Sequence, residues 1–391
     1  MSLVINFGER LVRIQRAMKD RDIDAMVITR DGGFRYVVGT NPTWRSAVVV
    51  PRDGLPELIT MGYDIERLMD QTWLTNGRPW DLADPETFAH AVADSLVELG
   101  EPKTIALDLG SATNTGAISA GEYFHLTERL ANSEFVNGMS LLNEIMLKKD
   151  PAEVEFLRRA AEISALGMMA AFSSIKAGVT EFHIAGAAEM EMRNAGNEFV
   201  WGITGTEVGS GYRQWYHHGL TTIASEKRLQ YHDLVTIDVH PMYQNYLGDF
   251  SLNAVVGKPS RPQVKLAQAW RDVAETIFTE LKPGVIVSDV AKAAKLKAEE
   301  CGYGDYLAPF YGHGLGTDAR MPHVITEKNN EVLAEDEVVE VLVQMNVPGV
   351  GGMRLELPTL ITASGNERLN SFPVGLFTVD NGSWTQVDLG S

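Results

Sequence analysis

The sequence predicts an α/β domain followed by an α+β domain in which one helix, helix, strand, strand unit is used twice. Three observations predict it. Helical and strand-like hydrophobic periods alternate through roughly the first 150 residues. Asp150-Pro151-Ala152-Glu153 then has the chemistry of a long helix start and marks a boundary. Beyond it, Ile175-Lys176-Ala177-Gly178-Val179 is echoed 106 residues later by Leu281-Lys282-Pro283-Gly284-Val285. The predicted domains are residues 1–148 and 149–391.

Each element has a local reason. Residues 7–21 repeat Leu11, Ile14 and Met18 at helical spacing, and residues 24–29 form a short apolar run that reads as a strand. Tyr36-Val37-Val38-Gly39 leads toward a further strand at 46–50, which Pro51-Arg52-Asp53-Gly54 ends with turn residues. Residues 88–99 are amphipathic, and 104–108 are a third strand. Asp150 is placed as an N-cap with Pro151 at the first helical position, and that helix runs to about Ser174. The repeated motifs precede helices at 181–195 and 287–300. Two strand runs follow each, at 233–240 with 249–256 and at 337–347 with 353–362.

Composition excludes several classes. The chain has 391 residues, 45% hydrophobic and 22% charged, which is ordinary for a globular protein. With 34 Lys and Arg against 52 Asp and Glu, its net charge is −18. That balance argues against binding nucleic acid or anionic lipid, both of which need basic surface. Cys301 is the single cysteine, so neither an internal disulfide nor a thiolate metal site is available. The first residues carry charges and no long apolar run, and no stretch approaches the ~18 apolar residues of a membrane span. The expected compartment is the cytoplasm.

Chemistry concentrates in the second domain. Asp238 and Asp249 lie on either side of a predicted hairpin turn, which would make them cross-strand neighbours about 5 Å apart. Two buried carboxylates that close repel, and a divalent cation would resolve the repulsion. Spacing alone leaves open that one or both sit in the turn. Glu356 interrupts an apolar alternation in the second hairpin, opposite Glu340, Leu342 or Gln344. Arg354 or a backbone group is an alternative partner for it. Between the hairpins, Gly312-His313-Gly314 offers an imidazole in a loop that permits close approach. His218 precedes the first hairpin in a segment rich in glycine and aromatics, as a proton carrier or a solvent-exposed side chain.

Together these motifs resemble the creatinase/prolidase/methionine aminopeptidase family, whose catalytic domain has the "pita-bread" fold. The likeness spans nearly the whole chain. Asp22 to Val27 and Phe34 to Gly39 resemble the family's creatinase-type N-terminal domain, and Leu147 to Val154 resembles the junction into the catalytic domain. The creatinase/prolidase branch is nearer, since methionine aminopeptidases generally lack that first domain. The resemblance implies an α/β N-terminal domain, an α+β pseudo-twofold pita-bread catalytic domain, a homodimer, and one or two divalent ions (Mn, Co or Zn). It implies Asp238, Asp249, His313 and Glu356 as metal ligands and His218 as the substrate-side histidine.

The chain also departs from the family pattern. The family's remaining Glu is replaced by Leu342, and Glu340, two residues earlier on the same strand face, would substitute as an additional ligand only if the strand slips. Arg320 and Met321 stand where peptidases of the family have His and Glu, and His240 replaces a Gly after the first Asp. His240 and Arg320 are therefore candidate catalytic groups. Trp201, Tyr212, Trp215 and Tyr216 are candidate pocket residues for a small cationic or zwitterionic ligand.

The implied function is metal-dependent hydrolysis of a small C–N bonded substrate, as by an Xaa-Pro dipeptidase or aminopeptidase P. A metal-free creatinase-like amidinohydrolase, a lyase of small zwitterions and a non-catalytic binding protein are the alternatives.

Overall fold

The computed structural model describes residues 4–110, 116–200, 205–214 and 223–390, with the side chains of 199 and 200 left aside. The chain divides into two compact units, 1–147 with 317–320, and 148–316 with 321–391.

The first unit is a six-stranded mixed sheet. Its order is Gly77–Trp80, Glu57–Met61, Ala47–Pro51, Ala25–Ile28, Thr104–Leu107, Glu134–Asn137. Ala25–Ile28 and its neighbours Ala47–Pro51 and Thr104–Leu107 are almost entirely buried, as their unbroken apolar runs require. Helices Phe7–Lys19 and Thr87–Glu98 fall where the periodicity places them. The strand expected at 46–50 is Ala47–Pro51, but residues 36–38 before it are helical. They close the helix Asp31–Val38, which Gly39 ends at φ 81°. A left-handed cap of this kind favours glycine, and a Cβ there would also collide with the Phe7 ring.

The second unit opens with helix Pro151–Ser174. Asp150 accepts from the backbone N–H of Ala152 and Glu153, while Glu153 accepts from the N–H of Asp150. This capping box satisfies donors that the first turn leaves orphaned. Helices Glu181–Asn194, Arg261–Glu280 and Val287–Glu300 follow, and pack with Pro151–Ser174 against a strongly buried sheet in one large apolar core. The sheet's central strands are Leu234–Val239, Phe250–Val256, Gly351–Thr362 and Val338–Val347. No helix among the described residues is long and apolar enough to cross a membrane.

The acidic hairpin has a different register from the one that spacing predicts. Asp238 lies opposite Ser251 rather than Asp249. The chain reverses at Gln244 and Asn245, with φ of 49° and 67°, the positive pair of a two-residue type I′ turn. Tyr243 pairs Tyr246 and Met242 pairs Leu247, which continues the same register and sets Asp249 opposite His240. The displacement is two residues, so Asp238 and Asp249 still share a face.

Candidate metal centre

One row of residues crosses five strands of the larger sheet. Its cross-strand partners run Glu207, Asp238, Ser251, Glu356, Leu342. Residues directly opposite share a face, and so do residues two apart on one strand. That face therefore also carries His240, Asp249, Arg354, Gln344 and Glu340, all buried. His313 enters from Gly312–Gly314, where it pairs with Glu340. Its flanking glycines are needed for space. A Cβ on Gly312 (φ 142°) would collide with the Glu340 carbonyl oxygen, and one on Gly314 with the carbonyl oxygen of Pro322.

The donors converge in two groups that share Asp249. The ligand atoms of Asp238, His240 and Asp249 all lie within 4.8 Å of one another, and those of Asp249, His313 and Glu356 do the same. His240 Nε2 is 3.2 Å from Asp238 Oδ1 and 3.7 Å from Asp249 Oδ1. Arg354 clamps the other side. Its Nη2 donates to Glu356 Oε1 at 2.6 Å, its Nη1 to Gln344 Oε1 at 2.7 Å, and its Nε to Ser251 Oγ at 3.1 Å. The same Nε stands 3.4 Å from Asp238 Oδ2.

Electrostatics follow from four buried carboxyls sharing two cationic partners. Burial pushes His240 down, but Asp238, Asp249 and Glu207 outweigh it and raise its pKa to about 10. Burial pushes Asp238 up, and His240 with Arg354 reverses this and holds it below the ordinary carboxylate range. Glu356 is raised well above 4.5 by burial, against the opposing pull of Arg354. Glu340 is also raised well above 4.5, by burial and then by Asp249, Glu356 and Asp238. Neither oxygen of its fully buried carboxyl has a hydrogen-bond partner among the described residues. An excess of buried carboxyls over cations, one of them orphaned, is the chemistry of a divalent-ion site, and the donors fit one.

Glu340 has a consequence for stability. It is ionised above its ordinary 4.5 in the unfolded chain but keeps its proton in the ion-free fold. Folding then takes up a proton, so stability at this site is full below 4.5 and is lost as pH rises toward the folded value. Chelator-treated Glu340→Gln is expected to gain on the native protein by up to about 1.4 kcal/mol per pH unit across this window. Thermal unfolding as a function of pH measures it, and equal slopes for the two proteins would contradict it.

The structure brings Asp238, Asp249, His313 and Glu356 together, and His240 joins them. Glu340 lies beside His313 but outside both three-donor groups, and the strand has not slipped, since Leu342 stands opposite Glu356. Arg320 is exposed in the segment 317–320, which belongs to the first compact unit. Tyr212 is 59% exposed with Lys227 Nζ 5.9 Å from its ring centroid, so it faces solvent rather than closing a pocket. His218, Trp201, Trp215 and Tyr216 lie outside the described residues. Sequence reasoning offered Arg354 as a partner for Glu356, which the structure bears out, but missed the rest of the Arg354 clamp, to Ser251, Gln344 and Asp238, and missed Glu207. The alternation Arg354-Leu355-Glu356 was the available signal for that pair, because it sets both charges on one face.

A buried cluster of carboxylates and imidazoles on one face of the sheet has the donor set of a divalent-metal site. The match to known families agrees: residues 155–363 match the model of metallopeptidase family M24, and residues 10–145 match the creatinase/prolidase N-terminal domain. The chain belongs to metallopeptidase family M24, in its creatinase/prolidase branch, and is a hydrolase of the pita-bread fold. It is 26% identical over 366 residues to the Xaa-Pro dipeptidase of Pyrococcus furiosus, covering 92% of this chain and 97% of that one. The X-Pro aminopeptidase of Thermotoga maritima superposes with a TM-score of 0.83 at 24% identity, over 94% of this chain and 99% of that one. The prolidase of Pyrococcus horikoshii gives 0.80 at 24% identity, over 93% and 99%. Family membership implies use of a divalent metal.

Proposed function

We propose that this chain is a metal-dependent dipeptidase that hydrolyses the peptide bond preceding proline. The observation that carries the reading is the pair of three-donor groups joined at Asp249 in one buried row. Near full-length likeness to an Xaa-Pro dipeptidase supports the substrate class. Asp238, Asp249, His313 and Glu356 would hold one or two ions of Mn, Co or Zn. Such an ion supplies Lewis acidity and charge neutralisation when bound.

The chain's own residues do the rest. Ser251 and Arg354 fix the Glu356 carboxylate, donating to Oε2 and Oε1. Glu340, orphaned and next to His313, would be ionised once a bound cation neutralises the carboxylates that raise its pKa, and it then accepts a proton from the attacking water and returns it to the leaving proline nitrogen. The water oxygen bonds to the carbonyl carbon as the C–N bond breaks. His218 is the expected substrate-side histidine.

Chelator-stripped protein should be inactive on Xaa-Pro dipeptides and regain activity with Mn, Co or Zn, with creatine untouched. Full activity after stripping, or hydrolysis of creatine alone, would overturn the reading. The Glu340→Gln protein should keep its metal while kcat falls by about 10²-fold or more. Metal lost in parallel with activity would make Glu340 a ligand instead.

A further inference from the structure

We propose that His240 is itself a ligand of the metal centre, giving the Asp238 end an imidazole nitrogen to match the one His313 gives the other end. The proposal rests on the divalent-metal reading above and deepens it. The hairpin register is the first support. The two-residue turn at Gln244 and Asn245 sets His240 opposite Asp249 and two residues from Asp238 on the same face. Its Nε2 consequently stands 3.2 Å and 3.7 Å from one oxygen of each carboxylate.

The second support is how the ring is held. His240 Nδ1 lies 3.1 Å from the carbonyl oxygen of Gly205. An N–H donated there leaves Nε2, the nitrogen that faces the carboxylates, as the one that would give up its proton and offer a lone pair to an ion, as in metal-bound histidines held by an outer partner. His313 has the same arrangement, with Nδ1 3.1 Å from the carbonyl oxygen of Gly314. Two imidazoles, each anchored through Nδ1 on a glycine carbonyl, thus stand in the two groups that share Asp249.

The third support is the donor count. Leu342 places an apolar side chain opposite Glu356, so the row has no carboxylate at that position. With His240 included, each half of the centre has three donors, one of them nitrogen. Mixed imidazole and carboxylate donors favour Zn, Co or Mn over Mg and Ca, which prefer all-oxygen shells.

Cobalt-loaded protein tests the proposal without reference to activity. Histidines bound to cobalt through Nε2 give exchangeable, strongly shifted Nδ1–H proton resonances. The native protein should show one from His240 and one from His313, and His240→Ala should lose the first and bind cobalt at least about tenfold more weakly. The native spectrum needs no variant, so it decides even if His240→Ala folds poorly. A single such resonance that His313→Ala removes, or a His240→Ala spectrum and affinity unchanged from native, would overturn the proposal and leave the divalent-metal reading standing. Absence of any cobalt uptake would overturn both.

Discussion

Asp249→Asn is expected to empty both halves of the proposed metal centre at once. Asp249 is the one residue common to the two three-donor groups, and its two imidazole neighbours there, His240 and His313, sit in positions set by strand register. An amide keeps the shape of the side chain but removes the negative charge that draws a cation. Each half then retains one carboxylate and one imidazole, too few to hold an ion without Asp249. We expect metal content to fall to background and kcat/KM to drop by about 10³-fold or more, equivalent to ~4 kcal/mol of transition-state stabilisation. Metal analysis after dialysis, alongside steady-state kinetics on an Xaa-Pro dipeptide, reads both. Retention of one tightly held ion would show that the halves do not depend on a shared carboxylate.

Arg354→Met will be the most destabilising single change at the site in ion-free protein. Arg354 is 5% exposed and donates to Glu356, Ser251 and Gln344, with Asp238 close by. Methionine fills similar volume but leaves buried carboxylates without their cation. Breaking a buried ion pair from one side costs about 3–5 kcal/mol, since a charge is left uncompensated in low dielectric. Adding Glu356→Gln in the same chain should recover much of the loss, because both partners are then neutral. Urea unfolding of the chelated single and double variants measures this, and a loss below about 1 kcal/mol for the single variant would contradict it.

These effects trace to features of unequal legibility in the sequence. The long helix start was readable because Asp150, Pro151 and Glu153 carry its capping chemistry within four residues. The strands of the larger sheet were readable as apolar runs, and the period of two correctly put Asp238 and His240 on one face. Register was not readable, since it depended on the positive φ of Gln244 and Asn245, and while Asn245 tolerates that region, Gln244 gives no signal that fixes the turn at this pair. That hidden turn moved the partner of Asp249 from Asp238 to His240. In the first unit three strands escaped notice, Glu57–Met61 and the pair Gly77–Trp80 and Glu134–Asn137; the last two had the weakest signal. They are edge strands, the first containing Pro79 and the second largely exposed, so neither shows an apolar run. The helix Asp31–Val38 was obscured by Gly32, Gly33 and two terminal valines, all weak helix formers that tertiary packing overrides. Arg354 was visible as a partner for Glu356 on its own strand, but its other three partners come from three further strands and emerge only from the fold.

We read this row of carboxylates and imidazoles as a divalent-metal centre joined at Asp249. Anomalous scattering from a crystal grown with manganese tests it most directly. Density for manganese is expected against Asp249, with Asp238 and His240 on one side or His313 and Glu356 on the other. A well-ordered site with Arg354 and His240 neutralising the carboxylates and no anomalous peak within reach of Asp249 would contradict it.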